Sequence, residues 1–199
     1  LKNGIVCASA GNHAQGVAFS CSKLKIMGSI FMPVTTPRQK IEQVRMFGKE
    51  FIEIILTGDT FDAANSAAIK YAEENKKTFI PPFDDPKVME GQGTIGREIL
   101  NQCKEPLDYI FVPIGGGGLA SGLGAYISQM SPETKIIGVE PGGAPCMKAA
   151  IENGGPVKLE HIDKFVDGAA VQLAGTHTYK VCRQVLDDII VVPEGAVCT

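Results

Sequence analysis

The chain has 199 residues, of which 44% are hydrophobic and 21% are charged, and its formal net charge at pH 7 is −3. This slightly acidic balance argues against a surface for nucleic acids and against a basic helix that binds membranes. No apolar run approaches the roughly 20 residues that a membrane-spanning helix needs, and the length suffices for one sizeable core or two small ones.

Strand-like and helical segments alternate along the whole chain, which predicts an α/β fold with open parallel sheets flanked by helices. Apolar runs predict buried strands at residues 4–7, 29–32, 51–55, 109–112, 136–139 and 189–192. A helix follows the first strand at once, and apolar spacing predicts further helices at residues 38–47, 60–71, 91–100 and 119–130. Thr36 and Pro37 are interpreted as the cap and first turn of the helix at 38–47, and Thr60 as the cap of the next.

The segment PPFDDP at residues 81–86 marks a change in the chain's organisation. Its prolines cannot continue a helix, and it holds too many turn-forming residues for a central strand. We therefore predict two domains, one at residues 1–80 and one at residues 81–199.

The cysteines contain no C-x-x-C pair and no framework of short loops that would suggest disulfides or a zinc site. This pattern predicts free, buried thiols in a reducing compartment. The six residues are Cys7, Cys21, Cys103, Cys146, Cys182 and Cys198.

The turn after the first predicted strand is the first candidate site. Gly11 lets the backbone turn tightly, and the side chains of Ser9 and Asn12 can cap the helix that follows. Free N–H groups and the dipole at a helix N-terminus favour a carboxylate or phosphate. The pattern therefore predicts an anion-binding corner, with an ordinary strand-to-helix turn as the alternative.

The glycine-rich string PIGGGGL at residues 113–119 is the second candidate site. Gly115, Gly117 and Ala120 fit a dinucleotide fingerprint, and Glu140 follows at about the expected distance. Glycines that bring phosphate oxygens to backbone N–H groups also serve other phosphorylated cofactors. The loop alone leaves both interpretations open.

Four strings in order resemble motifs of the fold-type II pyridoxal phosphate (PLP) enzymes, specifically of the threonine and serine dehydratases. SAGNHAQG at residues 9–16 resembles their asparagine loop, and PIGGGGL resembles the loop that holds the cofactor phosphate. PPFDDP with GQGT at 91–94 resembles the segment between these loops, and Asp167 with Gly168 resembles a later motif. A dehydrogenase does not explain residues 9–16, so the resemblance favours PLP over NAD as the cofactor.

The resemblance implies an architecture like that of the tryptophan synthase β subunit. Residues 1–80 would form the small mobile domain with the asparagine loop, and residues 81–199 part of the large cofactor domain. The implied cofactor residues are Asn12 at the ring hydroxyl, Gly115, Gly116, Gly117, Gly118 and Leu119 at the phosphate, and Gly168 at the cofactor edge. The implied residues for the substrate carboxylate are Ser9, Ala10, Gly11 and His13; a histidine that only bonds a neighbour is the alternative for His13.

The family's Schiff-base lysine lies upstream of the asparagine loop, in a motif that resembles Ser-Phe-Lys-x-Arg-Gly. We therefore expect this chain to be an interior piece of a longer enzyme, with that catalytic lysine outside it and no activity alone.

The implied reaction is the β-elimination of L-threonine to 2-oxobutanoate and ammonia, the first step of isoleucine biosynthesis. An L-serine dehydratase, a catabolic threonine dehydratase, an NAD-dependent oxidoreductase and a cofactor-free binding domain are the alternatives. The implied partners are a small amino-acid substrate and further copies in a dimer or tetramer, without nucleic acid or membrane. The implied location is the cytoplasm, or an organelle in a eukaryote.

Two positions depart from related serine racemases. Those enzymes carry a serine where this chain has Ala10, and its hydroxyl protonates one face of the carbanion, which a methyl group cannot do. They also build a cation site from two carboxylates at the positions of Glu140 and Cys146. The resemblance therefore predicts elimination rather than racemisation and no site for Mg²⁺ or Ca²⁺.

Overall fold

A computed structural model describes residues 2–197, apart from the side chain of residue 62. The chain divides into two compact units, the first ending at Pro82 and the second beginning at Phe83. The first unit contains β1 (Ile5–Ala8), α1 (Asn12–Leu24), β2 (Gly28–Met32), α2 (Arg38–Gly48), a 3₁₀ turn (Lys49–Phe51), β3 (Ile52–Leu56), α3 (Phe61–Glu74) and β4 (Thr78–Phe79). The second contains α4 (Pro86–Gln102), β5 (Tyr109–Pro113), α5 (Gly118–Met130), β6 (Lys135–Pro141), α6 (Cys146–Asn153), α7 (Thr176–Val185), β7 (Asp188–Val192) and α8 (Glu194–Val197).

Each unit is built on a parallel sheet. The strand order is β3-β2-β1-β4 in the first unit and β5-β6-β7 in the second. All pairs are parallel, with Ile5 opposite Gly28 in the first sheet and Tyr109 opposite Lys135 in the second. The alternation of strands and helices in the sequence therefore predicts the α/β architecture correctly.

The core of the first unit lies on both faces of β1. Because successive side chains of a strand point to opposite faces, Ile5 and Cys7 pack with α1, whereas Val6 and Ala8 pack with α3. The buried residues of α1 follow helical spacing and are Ala14, Val17, Ala18 and Cys21. This double coverage explains why β1 reads as a short, continuous apolar run.

The core of the second unit lies between its sheet and helices α5, α6 and α7. Val112 and Ile136 face this core, while Tyr109 and Phe111 on alternate positions of β5 are about 60% exposed. The prediction of a fully buried strand at 109–112 is therefore wrong for its second face.

The start of α4 differs from the sequence-based prediction. The predicted helix at 91–100 is too short, because α4 begins at Pro86. The Asp85 carboxylate caps it by accepting from the N–H groups of Lys87 at 2.8 Å and Val88 at 3.3 Å. The two-residue strand β4 and helices α6, α7 and α8 were not predicted at all.

The capping predictions for α2 and α3 have opposite outcomes. Thr60 caps α3 as predicted, since its Oγ1 accepts from the N–H of Ala63 at 3.2 Å. The prediction for α2 is wrong: Pro37 has the extended ψ of 137° and is itself the residue before the helix. Thr36 Oγ1 is buried and has no hydrogen-bond partner among the described residues.

The thiols are largely as predicted. Cys7, Cys21, Cys146 and Cys182 are free and buried, but Cys103 is exposed, which corrects the prediction for that residue; Cys198 lies outside the described residues. Burial raises the pKa of Cys7 and Cys182 to about 12, so both remain protonated at neutral pH. Within residues 2–197, no helix combines the length and the apolar character needed to cross a membrane.

Candidate functional site

The first candidate site lies at the carboxyl end of β1. In the order β3-β2-β1-β4 the chain runs from β1 to β2 and β3 on one side and then returns to β4 on the other side of β1, so a topological switch point lies between β1 and β4. Open parallel sheets bind ligands at such points. Residues 9–13 follow β1 directly, and the N–H of Ser9 still donates to Phe31 of β2 at 3.1 Å.

The turn at residues 9–13 leaves the first N–H groups of α1 without a cap. Ser9 Oγ accepts from the N–H of Gly11 at 3.1 Å, which closes the turn. Gly11 is the residue before the helix and Asn12 is its first residue, with no capping hydrogen bond from a side chain. The prediction that Ser9 and Asn12 cap α1 is therefore wrong, because the serine is engaged within the turn and the asparagine already lies in the helix.

The side chain of His13 connects the start of α1 with the segment that follows β4. The residue is partly buried, and its Nε2 donates to the carbonyl oxygen of Ile80, just beyond β4, at 3.1 Å. Burial lowers the pKa of His13, although the bond to Ile80 opposes that shift. The imidazole is therefore neutral at pH 7, and its Nε2 is engaged by the segment that follows β4.

The second candidate site is the glycine loop between β5 and α5. Gly117 has φ of +93°, a left-handed conformation that favours glycine. Helix α5 begins at Gly118 rather than at Leu119, one residue earlier than predicted. Leu119 packs its side chain against the core of the second unit, so only its backbone is available to a ligand.

The carbonyl groups of this loop are held by the protein. Gly115 O accepts from Cys146 Sγ at 3.3 Å. Gly116 O accepts from Thr178 Oγ1 at 2.7 Å, and Gly117 O accepts from the N–H of Ser121 at 2.9 Å.

The N–H groups of the loop face the other way. In a trans peptide the C=O and the following N–H point in opposite directions. The N–H groups of Gly116, Gly117 and Gly118 therefore point away from these carbonyl partners, and they have no acceptor among the described residues. Together with the N-terminus of α5, they form a set of donors that suits a phosphate group.

Glycine is also required on the protein side of the loop. A Cβ on Gly116 would lie 2.4 Å from the ring of Phe83, and one on Gly117 would lie 2.5 Å from Met147 Cε. The loop backbone thus packs directly on side chains of its own unit.

Gly168 lies in an exposed turn whose following residue flanks the loop. A Cβ on Gly115 would lie 3.3 Å from the Cα of Ala169. The structure therefore brings Gly168 close to the glycine loop in the second unit. Ser9, Ala10, Gly11, Asn12 and His13 lie together in the first unit.

Glu140 is fully buried at the end of β6 and caps α6. Its carboxylate accepts from the N–H groups of Met147 at 2.7 Å and Lys148 at 2.8 Å. Burial raises the pKa of Glu140, although both N–H groups and the Lys148 charge oppose the shift. Burial and the neighbouring Glu140 also raise the pKa of Cys146 to about 12, so its thiol keeps the proton that it can donate to Gly115.

Asp84 is a residue of the second unit whose role sequence reasoning missed. Its Oδ2 accepts from the N–H of Thr176 at 2.9 Å, and its Oδ1 accepts from that of His177 at 2.7 Å. The carboxylate therefore caps α7, although 92 residues separate it from the start of that helix. No local sequence pattern connects the two residues. The available signal is that Asp84 lies in a turn and that Gly175 precedes a helix with no cap of its own, so a search that pairs such residues could find the contact.

Sequence comparisons identify a known family and close relatives of this chain. Residues 1–199 match the family described as "Pyridoxal-phosphate dependent enzyme". The chain is 58% identical over 199 residues to "L-threonine dehydratase biosynthetic IlvA" of Halalkalibacterium halodurans, which covers 100% of this chain and 48% of that protein. It is 57% identical over 198 residues to the protein of the same name from Bacillus subtilis, covering 100% and 47%. The chain thus spans about half the length of these curated relatives.

The fold of this chain is similar to that of solved enzyme structures. The processed form of threonine deaminase isoform 2 from Solanum lycopersicum superposes with a TM-score of 0.89 at 46% identity, over 96% of this chain and 55% of that one. Maize serine racemase superposes with a TM-score of 0.90 at 32% identity, over 98% and 58%.

Proposed function

Since the chain belongs to the family of pyridoxal-phosphate-dependent enzymes, we propose that the protein is a threonine dehydratase that converts L-threonine into 2-oxobutanoate and ammonia. The observation that carries the proposal is the similarity, over every residue of the chain, to bacterial proteins named biosynthetic L-threonine dehydratase. The fold is that of the fold-type II enzymes, as the sequence predicted. The reaction would be the first step of isoleucine biosynthesis.

The glycine loop is the proposed phosphate site. The N–H groups of Gly116, Gly117 and Gly118 lack acceptors among the described residues, and that of Leu119 lies beside them in the first turn of α5. A phosphate dianion would gain charge-assisted hydrogen bonds and the favourable end of the helix dipole there. When bound, the cofactor supplies an electron sink for the pair released on removal of the substrate's α-proton.

The remaining cofactor contacts are assigned to Asn12 and Gly168. The exposed amide of Asn12 can hydrogen-bond the cofactor's ring hydroxyl, and the exposed turn at Gly168 offers backbone without a side chain in the way. We assign the first unit to the small domain of the family and the second unit to its large cofactor domain.

The turn after β1 is the proposed site for the substrate carboxylate. The first N–H groups of α1, including those of Asn12 and His13, have no acceptor in the part of the chain that the structure describes. The Ser9 hydroxyl lies beside them, Ala10 packs its methyl group against the core of the first unit, and Gly11 has open space where a side chain would project. Because the His13 ring is neutral and bonded to Ile80, it contributes its backbone N–H rather than a positive charge.

The direct test is an assay of the intact protein with pyridoxal phosphate. L-Threonine should yield 2-oxobutanoate and ammonia in equal amounts, with slower turnover of L-serine. Faster turnover of L-serine would reassign the protein as a serine dehydratase. Binding of NADH, measured by its fluorescence, together with no turnover of either amino acid, would contradict the proposal.

A substitution at Ala10 tests the carboxylate turn. Ala10→Ser should raise the racemisation of L-serine relative to its dehydration, because a hydroxyl at this position can donate a proton to the carbanion face that the methyl group cannot serve. Chiral chromatography of the products measures both reactions in one sample. The unchanged chain is the control, and no D-serine above its level would remove residue 10 from the reacting side of the substrate.

A homo-oligomer in the cytoplasm, or in an organelle of a eukaryote, completes the proposal. The free thiols suit a reducing compartment, because none of the described cysteines forms a disulfide. The mass of the intact protein in solution, measured by light scattering, decides between a monomer and the proposed dimer or tetramer.

A further inference from the structure

Thr178 makes the shortest side-chain hydrogen bond to the glycine loop. It is fully buried in the first half of α7, and its Oγ1 lies 2.7 Å from Gly116 O. A second acceptor, Gly175 O, is farther away at 3.3 Å. A hydroxyl has one proton to donate, so the closer carbonyl of Gly116 receives it.

This bond is the shorter of two that hold one peptide plane, since Gly116 O also accepts from the N–H of Gly175 at 3.3 Å. The carbonyl of Gly116 and the N–H of Gly117 belong to the same trans peptide and point in opposite directions. Glycines on both sides of a peptide allow its plane to turn more freely than other residues would. With the carbonyl held at the start of α7, most closely by Thr178, the N–H of Gly117 faces away from α7.

We infer that Thr178 is a positioning residue for the cofactor phosphate, which holds the Gly116–Gly117 peptide so that its N–H donates to a phosphate oxygen. The inference rests on the proposed phosphate site. Thr178 touches neither cofactor nor substrate in this role and acts through the loop backbone alone.

Asp84 holds the helix that carries Thr178. Its carboxylate accepts from the N–H groups of Thr176, His177 and Thr178 at 2.7 to 3.2 Å. Gly175 permits this approach, since a Cβ there would lie 2.4 Å from Asp84 Oδ1. The hydroxyl of Thr178 is therefore attached to a fixed helix end rather than to a mobile loop.

The sulfur contacts on the same loop are weaker. Cys146 has two acceptors for its one proton, Gly115 O and the Glu140 carboxylate. Cys182 Sγ lies 3.8 Å from Gly117 O, which is long even for sulfur. Thiols are also weaker donors than hydroxyls, so Thr178 is the side chain on which the orientation of the loop depends most, and its bond is shorter than that from the N–H of Gly175.

The test compares two ligands that differ only in the phosphate. The apo form of the intact protein is titrated with pyridoxal phosphate and with pyridoxal, and the ratio of the two dissociation constants measures what the phosphate contributes. Thr178→Val keeps the shape but removes the donor. Loss of one oriented hydrogen bond should weaken binding of pyridoxal phosphate about tenfold and leave binding of pyridoxal unchanged.

Two variants serve as controls. Thr178→Ser retains the hydroxyl and should restore the ratio. Thr176→Val makes the same change two residues earlier, at an exposed side chain of α7, and should leave the ratio as it is in the unchanged protein. The ³¹P resonance of bound pyridoxal phosphate should shift in Thr178→Val and not in Thr176→Val.

The outcomes separate this inference from the proposed site. If the unchanged protein binds both ligands equally, the loop is not a phosphate site and the proposed site fails. If the unchanged protein prefers the phosphorylated ligand and Thr178→Val keeps that preference, or loses affinity for both ligands equally, only the positioning role of Thr178 is overturned. Should Thr178→Val not fold, Thr178→Ala removes the donor in a smaller side chain, and an unchanged ratio in that variant would overturn the role equally.

Discussion

Replacing Gly122 with alanine is expected to destabilise the second unit by about 3 kcal/mol, the upper part of the range for overpacked cores. A Cβ on Gly122 in α5 would lie 2.1 Å from the carbonyl oxygen of Met89 in α4 and 2.9 Å from the backbone nitrogen of Gly93. Backbone atoms cannot move aside as a flexible side chain can, so the two helices would have to separate.

The cost of this separation is large because α4 and α5 meet through glycines. A Cβ on Gly93 would lie 3.2 Å from Gly122 O, and one on Gly96 would lie 3.3 Å from Leu123 O. Helix α5 also begins at the glycine loop, so its displacement would move the proposed phosphate site. Gly122→Ala should therefore lose affinity for pyridoxal phosphate along with stability.

Gly91→Ala is the matched control for this prediction. Gly91 lies in the same pair of helices, is exposed, and has no atom within 4 Å of an added Cβ. Alanine there should stabilise α4 by about 0.5–1 kcal/mol, since it restricts the unfolded chain and favours the helix.

Thermal unfolding of the intact protein measures both effects. A loss of this size should lower the midpoint by several degrees, while Gly91→Ala should raise it slightly. Equal midpoints for the two variants would show that α4 and α5 do not pack through Gly122.

The strands were predictable because their signal is local. Residues 29–32 and 136–139 are apolar runs between turn-forming residues, and both lie within observed strands. β4 has only two residues, Thr78 and Phe79, which is too short for any periodic signal. It becomes a strand because it pairs with Ile5 and Val6, which lie more than 70 residues away in the chain.

The helices show the same division between local and distant causes. Thr60 marks the start of α3 from within the sequence, because the residue that it caps lies three positions later. Helix α7 begins where Asp84 supplies acceptors from another part of the chain. A start determined by a distant carboxylate leaves no pattern near Thr176, so α7 was missed.

The phosphate site also has one feature with a local cause in the sequence and one that depends on distant residues. A run of four glycines indicates a loop whose N–H groups can approach a phosphate. The phosphate-binding loop was therefore predicted from residues 115–118 alone. The orientation of those N–H groups depends on Cys146 and Thr178, which lie 31 and 62 residues beyond the loop glycines that they hold. These contacts form only when α6 and α7 pack on the loop, so the sequence could not reveal them.

Glu140→Ala is the second change for which we expect a large effect. Removal of the carboxylate leaves the N–H of Met147 buried without an acceptor, deprives Lys148 of its partner, and opens a cavity at the end of β6. An unsatisfied buried donor costs about 1–3 kcal/mol, so the combined loss should be about 3 kcal/mol or more. The midpoint of thermal unfolding reports this loss.

Glu140→Gln separates the charge of this side chain from its shape. The amide has nearly the same shape as the carboxyl group and, like its protonated form, offers one acceptor oxygen and one donor. Unlike the glutamate, it has no proton to gain or lose. The difference in unfolding free energy between the two proteins therefore isolates the titration of Glu140 from that of all other groups.

The sign of this pH dependence follows from the raised pKa of Glu140. Burial raises the pKa above its ordinary value of 4.5, so between 4.5 and the folded-state value the folded protein binds more protons at this site than the unfolded chain does. Stability must then fall as pH rises through this window. The stability of the unchanged protein relative to Glu140→Gln should therefore be greatest below pH 4.5 and should decline as the pH rises above it. A difference that is constant from pH 4 to 8 would mean that the N–H groups of Met147 and Lys148 offset the whole cost of burying the charge.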